Sequence, residues 1–199
     1  MERLRLSPFK VLPCVAAVVL VACGGRETTG PSSGSNAPVI QTIAELTIQN
    51  PVQTGPAPLA QSITLPAGGT FNNIRFRWSL SPGASVTGTL YVIDREYAGQ
   101  LTALGTAPGL VGRSIRIEDG EYVFDATVRL AGGTKYWFAT DSNVGYLSSQ
   151  WTGPDIYPGG DLYFIGGTSA SGLSYVRAYV NSPNERIDAG FSLRGARVQ

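Results

Sequence analysis

The chain has 199 residues, with 15 lysines and arginines against 14 aspartates and glutamates, two cysteines and no histidine. Without histidine, Ser-His-Asp and Cys-His nucleophilic schemes are excluded, as is ordinary histidine-based zinc, copper or haem ligation. A near-neutral chain without a basic stripe also offers little phosphate neutralisation, so nucleic-acid binding is not expected.

At the N-terminus, Arg3, Arg5 and Lys10 precede an eleven-residue, mostly apolar run from Val11 to Val21. These are the charged and hydrophobic regions of an export signal. Such a run makes about 16 Å of helix, half of a ~30 Å hydrocarbon layer, so a permanent membrane span is not expected. Its end, Leu20-Val21-Ala22-Cys23-Gly24, resembles the lipobox of bacterial lipoproteins, with an aliphatic residue, a small one and then cysteine. The resemblance implies cleavage after residue 22, a diacylglyceryl group on Cys23, and a protein held to a membrane by its lipid. The alternative is ordinary cleavage after a small residue, with Cys23 incidental. Each buried CH₂ contributes about 0.8 kcal/mol, so two or more acyl chains anchor stably. Gly24 is not the aspartate that resembles an inner-membrane retention signal, which points to the outer membrane, on its periplasmic face or at the cell surface.

Residues 24–38 (GGRETTGPSSGSNAP) have almost nothing to bury and read as a flexible linker of roughly 20 Å. Loss of residues 1–22 removes three basic residues and one acidic one, leaving 12 against 13. With Cys14 discarded and Cys23 acylated, the 161 residues from Val39 to Gln199 contain no thiol. That length supports one core without disulfides.

Beyond Leu46, short runs of β-branched and aromatic residues alternate with Gly/Pro/Ser/Asn clusters, the pattern of an all-β domain. Strands are expected near Glu45–Gln49, Ala60–Leu65, Asn72–Leu80, Val86–Asp94, Tyr122–Leu130, Thr134–Thr140, Leu162–Ile165, Leu173–Val180 and Ile187–Arg194. Period-two alternation places Ile74, Phe76 and Trp78 opposite Arg75 and Arg77. It likewise places Ile187, Ala189, Phe191 and Leu193 opposite their neighbours. The turn after Leu130 predicts a hairpin between its flanking strands. With no crossover helices, the strands pair antiparallel and close as a single β-sandwich, preceded by the cleaved signal helix and the linker.

Several segments, taken in order, resemble the jelly-roll sandwiches of bacterial surface and secreted proteins, which look like carbohydrate-binding and choice-of-anchor modules. They are Gln61-Ser62-Ile63-Thr64-Leu65-Pro66-Ala67-Gly68-Gly69-Thr70, Leu130-Ala131-Gly132-Gly133-Thr134-Lys135-Tyr136-Trp137, Tyr157-Pro158-Gly159-Gly160-Asp161-Leu162-Tyr163 and Asp188-Ala189-Gly190-Phe191. The extra Gly133 departs from the family's hairpin. The resemblance spans about residues 59–195 and implies a jelly-roll-like fold.

The stretch between Thr140 and Leu162 carries Tyr146, Trp151 and Tyr157 beside Asp155 and Asp161. Rings next to carboxylates suit sugars, whose C–H faces stack while their hydroxyls take hydrogen bonds. If Leu162 and Phe164 face the core, Tyr163 turns outward and joins Trp151 or Tyr157 as a stacking platform. The alternative is that these rings cap the end of the sandwich. Asp141, Asp155 and Asp161 are candidate calcium ligands, with turn-forming aspartates as the alternative. Glu118-Asp119-Gly120-Glu121 reads as a charged turn, and Asp125 as an outward strand residue. Arg75 and Arg77 either clamp an anion such as a carboxylated sugar or form a solvated face.

The expectation is therefore a lipid-anchored, non-enzymatic binding or adhesion module of the cell envelope, with polysaccharide or an envelope protein as partner. It needs no cofactor beyond a structural calcium. The alternatives are a structural envelope protein with protein partners and a carboxylate-dependent glycoside hydrolase.

Overall fold

The computed structural model describes residues 37–48, 52–54, 56–150, 155–166, 174–178 and 187–198. The export signal, Cys23 and nearly all of the linker lie outside the described residues. From Ala37 onward the chain forms one compact unit. In order, its strands are β1 (Ile40–Leu46), β2 (Val52–Thr54), β3 (Leu59–Thr64), β4 (Thr70–Trp78), β5 (Leu90–Ile93), β6 (Leu110–Glu118) and β7 (Glu121–Phe124). They continue as β8 (Leu130–Ala131), β9 (Lys135–Thr140), β10 (Leu147–Gln150), β11 (Leu162–Gly166), β12 (Ser174–Arg177), β13 (Asp188–Ala189) and β14 (Phe191–Val198). A 3₁₀ helix over Leu101–Thr106 precedes β6.

The fold is all-β and antiparallel, a sandwich. One sheet runs β1-β14-β4-β7-β6-β5-β9-β3-β11-β12, with β8 also on β4, and a small sheet runs β13-β10-β2. Strand β6 belongs to both halves of the large sheet. Its start pairs with β5 (Tyr91 opposite Arg113) and its end with β7 (Ser114 opposite Phe124). The bend at β6 divides the sheet into two halves whose apolar faces meet. Phe76 of β4 stacks on Phe138 of β9 at 5.1 Å between centroids, directly across the core. Ile74, Phe76 and Trp78 are all buried there, as the alternation predicts, and so are Ile187, Ala189, Phe191 and Leu193. The expected strand Ile187–Arg194 is nevertheless broken at Gly190, with β13 in the small sheet and β14 in the large one, and Asp188 is buried as well. Fully burying an aliphatic or aromatic side chain of this size contributes roughly 1.5–3 kcal/mol.

Tyr122–Leu130 is not one strand. The Asp125 carboxylate accepts from the Thr127 amide (2.9 Å) and hydroxyl (2.7 Å), and the Asp125 carbonyl accepts from the Val128 amide, so a turn ends β7. Asp125 is thus a turn former rather than a mid-strand residue. The turn after Leu130 does not close a hairpin either, because β8 pairs with β4 while β9 pairs with β3 and β5. It carries the chain between half-sheets. A tight hairpin lies instead at Asp119-Gly120, where both residues have positive φ (50° and 76°) and Glu118 faces Glu121 across the turn. Asp-Gly suits this geometry because glycine pays no Cβ penalty there.

A second apolar cluster fills the outer side of the half-sheet that holds β5, β9, β3, β11 and β12. Ala60, Tyr91, Ile93, Ala139, Tyr163 and Tyr175 project outward from the strands and are covered by Tyr97, Leu104 and Ala107. The segment between β5 and β6 thus serves as a lid with a core of its own. The Tyr175 hydroxyl donates to the Thr140 carbonyl within this layer, and burial raises that phenol well above its ordinary pKa.

Candidate functional site

Beside this second cluster, the outer face of β9, β3, β11 and β12 carries side chains suited to a ligand. Along β9, Tyr136, Phe138 and Thr140 are buried, while the alternate residues Lys135 and Trp137 are half-buried on the other face. Trp137 lies opposite Ser62 of β3, and Tyr163 lies between Ala60 and Arg177. Because Ala60 and Ser62 are small, the larger rings on either side meet above them, Trp137 edge-on to Tyr163 at 6.5 Å and 62°.

Arg177 lies across the Tyr163 ring, 5.8 Å from its centroid, a cation–π arrangement. Its guanidinium also donates to the Tyr163 hydroxyl (3.4 Å) and is held between Asp161 and Glu96, each at 3.6 Å. Asp161 is buried and Glu96 exposed, so the arginine has one inner and one outer counter-charge. Burial pushes the Tyr163 phenol upward, with the Arg177 hydrogen bond opposing the shift. The Trp137 N–H is buried and has no acceptor in hydrogen-bonding geometry, although it lies close enough to the Tyr163 hydroxyl to favour the phenolate slightly. Together these residues place a half-buried indole, the Lys135 ammonium and the Arg177–Glu96 ion pair around one aromatic layer, a mixture of ring and charged groups of the kind that sugars engage.

Tyr163 points away from the main core, as alternation requires, but it is only 2% exposed. It backs the face and cannot itself be an open platform, because the outward side of this half-sheet is a second core. Tyr157 is half-buried, with its ring 5.2 Å edge-on to Phe191 and its hydroxyl donating to the Thr64 carbonyl (3.4 Å). It caps the end of the sandwich, and burial together with the nearby Asp188 raises its phenol to about 12. Gly160 in this loop has no room for a side chain, since a Cβ there would overlap the Ser62 carbonyl. Tyr146 is 51% exposed, beside a groove of about 250 Å³ formed with Ser81, Pro82, Gly83 and Ala84. It shares no ring contact with Tyr157 or Tyr163 among the described residues. Trp151 lies outside the described residues.

The three candidate calcium ligands have separate partners. Asp141 accepts from the Thr89 amide (2.8 Å), the Ser142 hydroxyl (3.0 Å) and the Tyr91 hydroxyl (3.3 Å). Asp155 accepts from the Tyr157 amide (3.0 Å), and Asp161 pairs with Arg177. No group of three acidic, histidine or cysteine side chains suited to a metal occurs among the described residues.

The Tyr157 amide is shared with Asp188, at 3.1 Å. Asp188 is 1% exposed, and burial, aided by Asp155, raises its carboxyl to about 7. Gln61 spans this site by donating to Asp188 (3.5 Å) and accepting from the Ala189 amide (3.3 Å). Asp188 fixes the junction of β13 with the Tyr157 loop.

The residues missed as candidates were Glu96, Lys135, Trp137 and Arg177. The alternation of Lys135–Thr140 already separates Trp137 from Tyr136 and Phe138, whereas nothing in the sequence aligns Arg177 with Tyr163 before β11 and β12 are paired. Comparison with family models, with curated proteins and with solved structures finds no match to this chain.

Proposed function

We propose that the protein is a lipid-anchored, non-enzymatic binding or adhesion module of the bacterial cell envelope, with a carbohydrate polymer as its ligand class. The observation that carries the ligand reading is the half-buried Trp137 on an outer sheet face, next to Lys135 along β9 and edge-on to Tyr163, whose far side carries Arg177 and its partner Glu96. A sugar ring stacks on the indole while the charged groups hold its hydroxyls. The lipobox-like residues at 20–23 and the linker that follows support tethering at a membrane surface, on the outer membrane, through Cys23. A glycan array probed with residues 37–199 tests the ligand class. Retention by at least one glycan, reduced in Trp137→Ala, is the expected result, and an empty array contradicts it. A structural role with protein partners is favoured by one observation, the exposure of the aliphatic pair Ile115 and Ile117 on β6.

A further inference from the structure

The outer face of the other half-sheet is built differently. There β4 presents Arg75 and Arg77, β14 presents Arg194, and β6 adds Arg116. The carboxylates they meet are Glu118 and Glu121. Four guanidiniums face two carboxylates in these pairs, on a domain that is close to neutral as a whole. Glu121 is buried and takes Arg75, Arg77 and Arg194 at 3.1–3.7 Å, so this part is internally satisfied. Beside it is a groove of about 270 Å³ lined by Ile40, Asn73, Arg75, Ile115, Arg116 and Val123, among others. That volume lies just below the ~300 Å³ at which pockets for drug-sized ligands begin, room for one sugar-sized residue.

Two irregularities shape the groove. Between the pairs Arg194–Arg75 and Ala196–Asn72, β4 has one residue more than β14, and Asn73 within that bulge has φ 50°. Between Ser114–Phe124 and Arg116–Val123, β6 has one residue more than β7, and that residue is Ile115, 55% exposed. Bulges re-aim side chains, and a positive φ at a residue other than glycine stores strain. Both bulges fall on residues that line this groove. Glu118 meanwhile shows where a carboxylate fits, since its Oε2 lies 3.1 Å from Arg75 and 3.6 Å from Arg116 while its side chain is substantially exposed. An exposed ion pair of this kind holds weakly, by about 0–1 kcal/mol, and can be displaced.

We infer that this groove binds a carboxylated sugar residue of an acidic glycan. The ligand carboxylate joins Arg75 and Arg116 in competition with Glu118, the Asn73 amide takes a hydroxyl, and the sugar's C–H face lies against Val123 and Ile115. Charge complementarity selects the occupant, and the open sheet face lets a polymer continue past the groove. This site is separate from the Trp137 face and does not depend on it.

The probe is trigalacturonate, titrated by calorimetry against residues 37–199 at low salt, with neutral maltotriose alongside. Trigalacturonate should bind, maltotriose should not bind in this groove, and added salt should weaken the binding. Arg116→Gln should weaken trigalacturonate about 10-fold or more, the effect of losing one charge-assisted contact. Glu118→Gln should tighten it, because the internal competitor is gone. Trp137→Ala should leave it unchanged, so failure here and failure of the Trp137 reading are distinguishable. Absence of binding to trigalacturonate, equal affinity in Arg116→Gln, or a loss in Glu118→Gln with an unchanged unfolding temperature would each overturn the proposal.

Discussion

The two outer faces of the bent sheet come from the same period-two alternation and end in opposite environments. Outward from β4 and β6 lie Arg75, Arg77, Arg116 and Ile115, all in contact with water, whereas outward from β5, β11 and β12 lie Tyr91, Ile93, Tyr163 and Tyr175, buried under Tyr97 and Leu104. Alternation decides which side chains leave the main core. What covers the departing side is decided elsewhere, by the segment between β5 and β6. Where that cover stops, at Trp137 and Arg177, the aromatic layer becomes partly accessible.

The largest effect that would break this contrast is at Tyr163. If the outer aromatic layer is a true second core, Tyr163→Ala should cost roughly 3–5 kcal/mol in denaturant unfolding, as buried aromatics do. A loss below about 1 kcal/mol would return Tyr163 to the surface.

The next effect is on pH dependence. The folded chain holds the Asp188 proton more tightly than the unfolded chain does, with a carboxyl at about 7 rather than the ordinary 3.8. Stability should therefore rise as pH falls from about 7 towards 4, and the gain should be lost again as pH climbs through 7. The contribution is at most about 1.4 kcal/mol for each pH unit in that window. Asp188→Asn should flatten this profile in thermal unfolding followed from pH 4 to 8, and an unchanged profile would assign the dependence to other groups.

A smaller effect separates the buried and exposed members of the arginine face. Glu121→Gln leaves three guanidiniums without their shared counter-charge and should cost about 1–3 kcal/mol. Arg77→Ala removes one exposed partner and should cost under about 1 kcal/mol. Equal costs would mean that burial of Glu121 is not what distinguishes them.

The inner face of β4 was legible because Ile74, Phe76 and Trp78 alternate without interruption with half-buried or exposed neighbours. The expected strand Ile187–Arg194, by contrast, divides at Gly190 between two sheets, with its apolar residues buried but Asp188 buried as well. Strand β6 was not legible. The bulge at Ile115 breaks its alternation, and most of its residues are at least partly exposed, so no single face marks it as a strand. The pairing of β8 with β4 was hidden because Leu130-Ala131-Gly132-Gly133-Thr134 reads equally as a hairpin turn or as a passage between sheets. Of the candidate site, Tyr163 and Asp161 were visible in the sequence, but their partner Arg177 depends on the register of β11 with β12. The buried state of Tyr163 depends on a cover some 60 residues earlier in the chain.

In the proposed function, ligand binding centres on Trp137, the half-buried end of the aromatic face. Affinity electrophoresis of residues 37–199 through gels containing soluble β-glucan, mannan, xylan or no polysaccharide, for the native chain and Trp137→Ala, tests it directly when paired with unfolding curves. Retardation of the native chain by at least one polysaccharide, reduced about 10-fold or more in Trp137→Ala while the variant remains folded, is the expected result. No retardation in any gel, or equal retardation of both proteins, would contradict it.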